Sequence, residues 1–252
     1  MPLKAPPMYL DYTQDVCKLV FDTTTSIEVH RGLYEVPFRE HAFLVSTCSA
    51  VNPYALLQSF LDEADLRHNW WQIQPGDVVI DVGAGYGSYT LSALAAGASK
   101  VCSIEPSRSE YFELSTNLLL NSFQNRSLHL NCLAGDTHGL AARFFPENHS
   151  CCFNPVTPGE WRLSVPLDSL CSQAPKVDWL KVDVEGAEGR VLRGALNLIQ
   201  TYHPKILVEN HLAYFPEARQ EITAILEPLG YQEENCFQGE ASNNNWSLWT
   251  YG

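Results

Sequence analysis

The sequence predicts an α/β domain, a mostly parallel sheet with helices on both faces. Three observations carry this. From Asp77 onward, short apolar runs alternate with stretches of helical spacing. A glycine-rich turn, Asp81-Val-Gly-Ala-Gly-Tyr-Gly87, joins the first apolar run to the first helical stretch. Acidic residues (Glu105, Asp136, Asp183 and Glu209) stand where apolar runs end, and that edge is where open α/β sheets bind ligands. With 252 residues the chain can bury a large core and is most simply one domain with additions. It divides into an N-terminal extension over 1–76 and a main domain over 77–252, the latter carrying an insertion over 137–164.

Each element has its own local reason. VVIDVG, from Val78, is a strand. SYTLSALAAG is a helix stopped by Gly97, and KVCSIEP is a strand closed by Pro106. SEYFELSTNLLLNS has helical spacing, with the apolar Phe112, Leu118 and Leu119 on one side, and SLHLNCLAGD is a third strand. VDWLKVDVEG is a fourth strand. It leads into one helix, AEGRVLRGALNLIQ, with Val191, Ala195, Leu198 and Ile199 facing inward. KILVENH and ARQEITAILEPLG add a fifth strand and its helix. Ahead of Asp77, SIEVHRGLYEV and HAFLVSTCSAV are strand-like. They precede a helix that Asn52 caps and Pro53 opens.

Composition narrows the partners. The formal net charge is −13, and the Lys and Arg residues are scattered rather than gathered in a stripe. Neither nucleic acid nor an anionic membrane surface is expected, because both need clustered positive charge. No run reaches the roughly 20 apolar residues of a membrane span, and the first residues lack the apolar core of a signal peptide. The expected location is cytoplasmic. The eight cysteines read as reduced thiols, with Cys102 and Cys132 in strands and Cys151-Cys152 in a loop.

The glycine turn carries the strongest local signal. Gly83, Gly85 and Gly87, with Ala84 and Tyr86 between them, are spaced G-x-G-x-G. A dinucleotide site uses G-x-G-x-x-G, and a phosphate loop needs a following Lys. Asp81, two positions before the first Gly, suits a ligand with a cationic amino group, which points to S-adenosylmethionine. Glu105 ends the next strand, where a carboxylate can accept hydrogen bonds from ribose hydroxyls, and Pro106 beside it joins the cofactor set. Asp136 stands where an adenine would lie, although Gly135-Asp136 also makes a good turn.

These segments, together with VPLDSL and DWLKVDVEGAEGRVLRGA, resemble the FkbM-type S-adenosylmethionine-dependent methyltransferases over roughly 77–230. The more specific part is K-x-D-x-E-G-x-E: Lys181, Asp183, Glu185, Gly186 and Glu188. The resemblance implies a class I methyltransferase fold. It also implies methylation of hydroxyl groups on sugars or secondary metabolites, so the expected acceptor is a small molecule or glycan.

An alcohol attacks only as its proton leaves, so a base is sought. Asp183 and His211 are the candidate catalytic residues. Glu209 ends the fifth strand and Glu185 lies in the turn, and either can serve the substrate or a metal. Glu188 enters the next helix, where its charge suits the helix dipole. A divalent metal on Asp183, Glu209 and His211 is open but not required by the spacing, and a base is preferred to it. The acceptor site is expected from 1–76 and 137–164, which interrupt the repeat and carry Phe144, Phe145, Phe153 and Trp161. N-methylation of a small molecule and a non-catalytic cofactor-binding regulator are the alternatives. Oligomeric state is open, a homodimer among the options.

Overall fold

The computed structural model describes residues 9–11, 18–20, 26–28, 33–46, 56, 59–60, 63–145, 150–152, 160–211, 215–238 and 245–252. Strands β1 (Tyr9–Asp11), β2 (Lys18–Val20) and β3 (Ser26–Glu28) form a small antiparallel sheet. β4 (Leu33–Phe38) and β5 (His41–Ser46) form a hairpin, and α1 (Ala64–Asn69) follows. The alternation then begins: β6 (Val78–Val82), α2 (Ser88–Ala95), β7 (Lys100–Ile104), α3 (Arg108–Leu120) and β8 (Ser127–Leu130). β9 (Leu133–Ala134), β10 (Gly139–Phe145), β11 (Ser150–Cys152) and β12 (Glu160–Val165) make a second sheet, and α4 (Leu167–Leu170) leaves it. β13 (Trp179–Val182), α5 (Glu188–Arg193), α6 (Leu196–Tyr202), β14 (Lys205–Asn210) and α7 (Ala218–Leu226) resume the repeat. β15 (Tyr231–Gln238) and β16 (Asn245–Tyr251) close it.

The main sheet has seven strands in the order β15-β16-β14-β13-β6-β7-β8. The four neighbouring pairs from β14 to β8 are parallel, while β16 runs against both β14 and β15. From β6 the chain builds outward to β8, then returns to β13 on the other side of β6. That reversal opens a crevice at the carboxyl ends of β6 and β13, where ligands of such sheets bind.

Strand residues alternate between two cores, one on each face. Val79, Val101, Trp179 and Leu207 join the cluster that holds α2, α3 and the β4–β5 hairpin. Ile80, Val82, Leu180, Val182, Ile206 and Val208 join the cluster of α5, α6 and α7. Tyr34, Val36, Phe43 and Val45 of the hairpin share the first cluster with the main sheet, as do Leu56 and Phe60.

Four local expectations need correction. On α3, Phe112 is 58% and Leu119 65% exposed, whereas Leu114, Asn117 and Leu118 are fully buried and Glu110 and Glu113 nearly so. The inner stripe is partly polar because it serves backbone: Asn117 accepts from Ser46 N–H (2.8 Å) and donates to the Tyr86 carbonyl (3.2 Å). Of Phe112, Leu118 and Leu119, only Leu118 lies on the buried stripe, because hydropathy alone does not show which side chains must bond backbone. The single helix expected after β13 is two, α5 and α6. Gly194 at the break lies so near the Gly135 carbonyl that a Cβ would come within 1.9 Å of it. Asp168 of α4 then caps α6 by accepting from Leu198 N–H (2.8 Å). The expected third strand is split, with β8 in the main sheet and β9 pairing with β12. Cys132 falls between the two pieces, and Cys151 and Cys152 lie in β11 rather than a loop. Asn52, Pro53 and Phe153 lie outside the described residues, as do the side chains of Phe144 and Phe145.

Candidate active site

The glycine turn wraps the carboxyl end of β6. Gly83, Gly85 and Gly87 all have positive φ (72°, 52° and 99°), which favours glycine. A Cβ on Gly83 would lie 1.6 Å from the Asp183 carbonyl oxygen, so β6 and β13 approach closely only because this residue is Gly. Gly85 has open space where its Cβ would be, and this is the face a ligand can approach.

Glu105 stands beside the turn at the end of β7. Its carboxylate accepts Gly85 N–H (2.8 Å) and Ser107 N–H (2.6 Å) on separate oxygens. Burial, reinforced by the nearby charge of Glu110, pushes its carboxyl up to about 8 against those two donors. Each oxygen takes one backbone donor and keeps room for a further hydrogen bond. Pro106 follows, its carbonyl accepting Arg162 Nε (2.6 Å). This bond ties the insertion's β12 to the strand ends. Tyr86 is half-buried, and burial together with the charges of Glu110 and Glu105 pushes its phenol up to about 12.

Asp81 lies behind the turn with no exposed surface. It accepts the Thr90 hydroxyl (2.6 Å), which also contacts Ser103 Oγ (2.7 Å). Lys181 is its register partner on β13. The Lys181 ammonium sits 3.4 Å from Asp81, 3.2 Å from Asp183 and 2.7 Å from the Gly83 carbonyl it donates to. Burial lowers this ammonium's affinity for its proton, but the charges of Asp183, Asp81 and Glu63 outweigh that and raise it. One buried cation thus pins the glycine turn to the end of β13.

Asp183, just past β13, begins a turn in which Glu185 (φ 55°) and Gly186 (φ 100°) are left-handed. Glu188 closes that turn, accepting Val184 N–H (3.2 Å) and Gly186 N–H (3.0 Å). The same oxygen lies 2.9 Å from His211 Nδ1. The other ring nitrogen, Nε2, faces Glu185 (3.2 Å), Asp183 (3.6 Å) and Glu209 (3.6 Å). Burial opposes charge on His211, but the Glu185 and Glu188 carboxylates beside its two nitrogens, with Asp183 and Glu209, carry it up to about 11. Burial also raises Glu209 well above the carboxylate range, helped by the charges of Asp183 and Glu63. Burial would raise Asp183 too, yet Lys181 and His211 hold it below its ordinary value.

Most of the candidates from the sequence therefore converge. Asp81, the three glycines, Glu105, Asp183, Glu185, Glu209 and His211 gather at the carboxyl ends of β6, β7, β13 and β14. Asp136 is engaged differently, in ion pairs with Arg190 (3.1 Å) and Arg193 (3.8 Å) of α5. Glu63 was missed. It precedes α1 in a segment without a motif, yet its charge acts on Asp183, Lys181 and Glu209. The partnership of Glu188 with His211 was also missed, because the two are far apart in sequence and on different elements.

A methyltransferase FkbM domain model matches residues 81–233, more than half of the chain. The chain belongs to the FkbM methyltransferase family. Among solved structures it is similar to the methyltransferase FkbM from Methylobacillus flagellatus KT, at 20% identity and a TM-score of 0.57, over 75% of this chain and 47% of that one. It is also similar to a candidate S-adenosylmethionine-dependent methyltransferase from Streptococcus mutans, at 8% identity and a TM-score of 0.57, over 90% and 58% of the two chains. The chain thus spans about half the length of these two structures. At these identities they establish the fold, that of class I methyltransferases. No curated protein matches the chain significantly. Among the described residues, no helix is long and apolar enough to cross a membrane.

Proposed function

We propose that this FkbM-family protein transfers a methyl group from S-adenosylmethionine to a hydroxyl of a small molecule or glycan. The observation that carries this reading is that the open glycine turn, Glu105 and the Asp183–His211 cluster meet along one sheet edge. The residues fit the cofactor. Gly85 leaves its approach clear, and the Glu105 oxygens keep lone pairs for ribose hydroxyls. Glu105 and the Gly83–Gly87 turn would hold it, and when bound it supplies an electrophilic methyl on a sulfonium.

The protein's share of the chemistry is alignment and proton transfer. Lys181 fixes the distance between the turn and Asp183. Asp183 stays ionised and accepts a hydrogen bond from the incoming hydroxyl, orienting its oxygen. The hydroxyl's proton goes to a carboxylate of the cluster, whose oxygens crowd the cleft side of His211 Nε2. Asp183 and Glu185 carry more side-chain surface than Glu209, 23% and 39% against 10% exposed. The β4–β5 hairpin and the insertion around Trp161, which is 44% exposed, supply acceptor contacts.

The test is turnover with a labelled methyl donor across a panel of hydroxyl-bearing acceptors. Asp183→Asn is isosteric. It should fold, bind cofactor with unchanged affinity, and lose about 100-fold or more in kcat, the scale of general acid–base assistance. Undiminished turnover in that variant removes Asp183 from the chemistry.

A further inference from the structure

We infer that Asp183, Glu209 and His211 form a site for one divalent cation, with Nε2 of His211 as its nitrogen ligand. This deepens the methyl-transfer reading and rests on it for the ion's role, though not for its binding. Each of the three offers one ligand atom, and these atoms all lie within 4.8 Å of one another. Ligand atoms around one ion, each at about 2.1 Å, stand up to about 4.2 Å apart. A small side-chain rotation closes that gap.

The acidic grouping alone would not suffice, but a second observation points to an ion. His211 is 1% exposed and its Nε2 is buried without a hydrogen-bond partner, although three carboxylates face it at 3.2–3.6 Å. Its orientation is fixed from the other side by Glu188, 2.9 Å from Nδ1. Glu188 is in turn locked by two backbone donors of the turn. A carboxylate behind an imidazole, with the far nitrogen turned to a carboxylate-lined space, is how proteins orient metal-binding histidines.

Charge supports the same assignment. Asp183, Glu185, Glu188, Glu209 and Glu63 surround the space. The cations nearby are already engaged, Lys181 with Asp81, Asp183 and the Gly83 carbonyl, and Arg67 with the carbonyls of Ser59 and Phe60. The mixed nitrogen and oxygen donors suit Mn²⁺ or Zn²⁺ better than Ca²⁺. When bound there, the ion would supply Lewis-acid polarisation of the acceptor hydroxyl and so lower its pKa. The O–H bond breaks, its proton goes to the Glu185 carboxylate, and the freed oxygen lone pair forms the bond to the methyl carbon as the sulfur–carbon bond breaks.

The test is a titration of the chelator-stripped full chain with MnCl₂, followed by the loss of the free-ion electron paramagnetic resonance signal. One Mn²⁺ per chain is expected, with Zn²⁺ competing. His211→Gln and Glu209→Gln should each weaken binding by about 10-fold or more, and Glu188→Gln by about 10-fold through the released ring. Glu227→Gln, at an exposed acid just past α7, should leave Mn²⁺ binding unchanged. Circular dichroism on each variant separates loss of the site from loss of the fold, and retained binding in a folded His211→Gln overturns the assignment. So does an absence of binding in the native chain up to about 1 mM, a free energy of only about −4 kcal/mol. Calorimetry with S-adenosylmethionine on the same samples keeps the two ideas apart. Cofactor binding without Mn²⁺ defeats only the cation site, and Mn²⁺ binding without cofactor defeats only the methyl-transfer reading.

Discussion

Gly83 and Gly85 look alike in the sequence and differ in what surrounds them. Both are left-handed, but a Cβ on Gly83 would meet the Asp183 carbonyl oxygen, a backbone atom of the neighbouring strand end, whereas a Cβ on Gly85 meets nothing. Gly83→Ala must therefore push β6 and β13 apart, and it should destabilise the protein by more than about 3 kcal/mol, the range of severe overpacking. Gly85→Ala carries only the cost of a left-handed non-glycine residue, about 1 kcal/mol, and should instead reduce cofactor affinity. Thermal unfolding and calorimetry on the pair check this, and equal stability of the two variants would contradict it. The same closeness explains why Lys181 can bond the Gly83 carbonyl while its ammonium touches Asp81 and Asp183.

At the scale of elements, α3 joins the N-terminal hairpin to the cofactor side. Asn117 and Asn121 act as a polar seam along β5: Asn117 accepts Ser46 N–H, and Asn121 exchanges bonds with Leu44 N–H and carbonyl (2.7 Å each). Asn117→Ala leaves a buried N–H unpaired and frees the Tyr86 carbonyl next to the glycine turn. A loss of about 1–3 kcal/mol in urea unfolding is expected, with hydrogen exchange rising at Ser46. No change at Ser46 would mean that the seam is not what holds the hairpin. Helical spacing made α3 itself legible, but not its face. The expected face followed Phe112, Leu118 and Leu119, of which only Leu118 is buried, and the buried stripe is chosen by which neighbour needs its backbone bonded. The break between α5 and α6 was hidden for a related reason, since it answers to the Gly135 carbonyl on a distant segment.

Across the whole molecule, the first core cluster runs without a break from the β4–β5 hairpin through α2 and α3 to the sheet. Trp71, for example, packs edge-on against both Tyr89 and Trp179, with ring centroids 5.4 Å and 5.0 Å away. A chain shortened to begin at Asp77 would expose one face of the sheet and should fail to fold cooperatively. Loss of a sharp calorimetric transition is the expected result, and a native-like melt of the shortened chain would show the first region to be dispensable. By itself, the sequence determined the alternating sheet, the glycine turn, and the acids at the strand ends. All of these depend on short-range rules: period-2 and period-3.6 patterning, glycine's access to positive φ, and the chain reversal that puts the carboxyl ends of the parallel strands on one edge. It also carried the family motif K-x-D-x-E-G-x-E. Only the tertiary structure decided who faces whom. Lys181 opposes Asp81 because β13 pairs with β6 in that register. Glu188 meets His211, and Glu63 acts on Asp183, because separate elements converge on one edge. Such contacts depend on packing between residues far apart in the chain, and local spacing carries no trace of them.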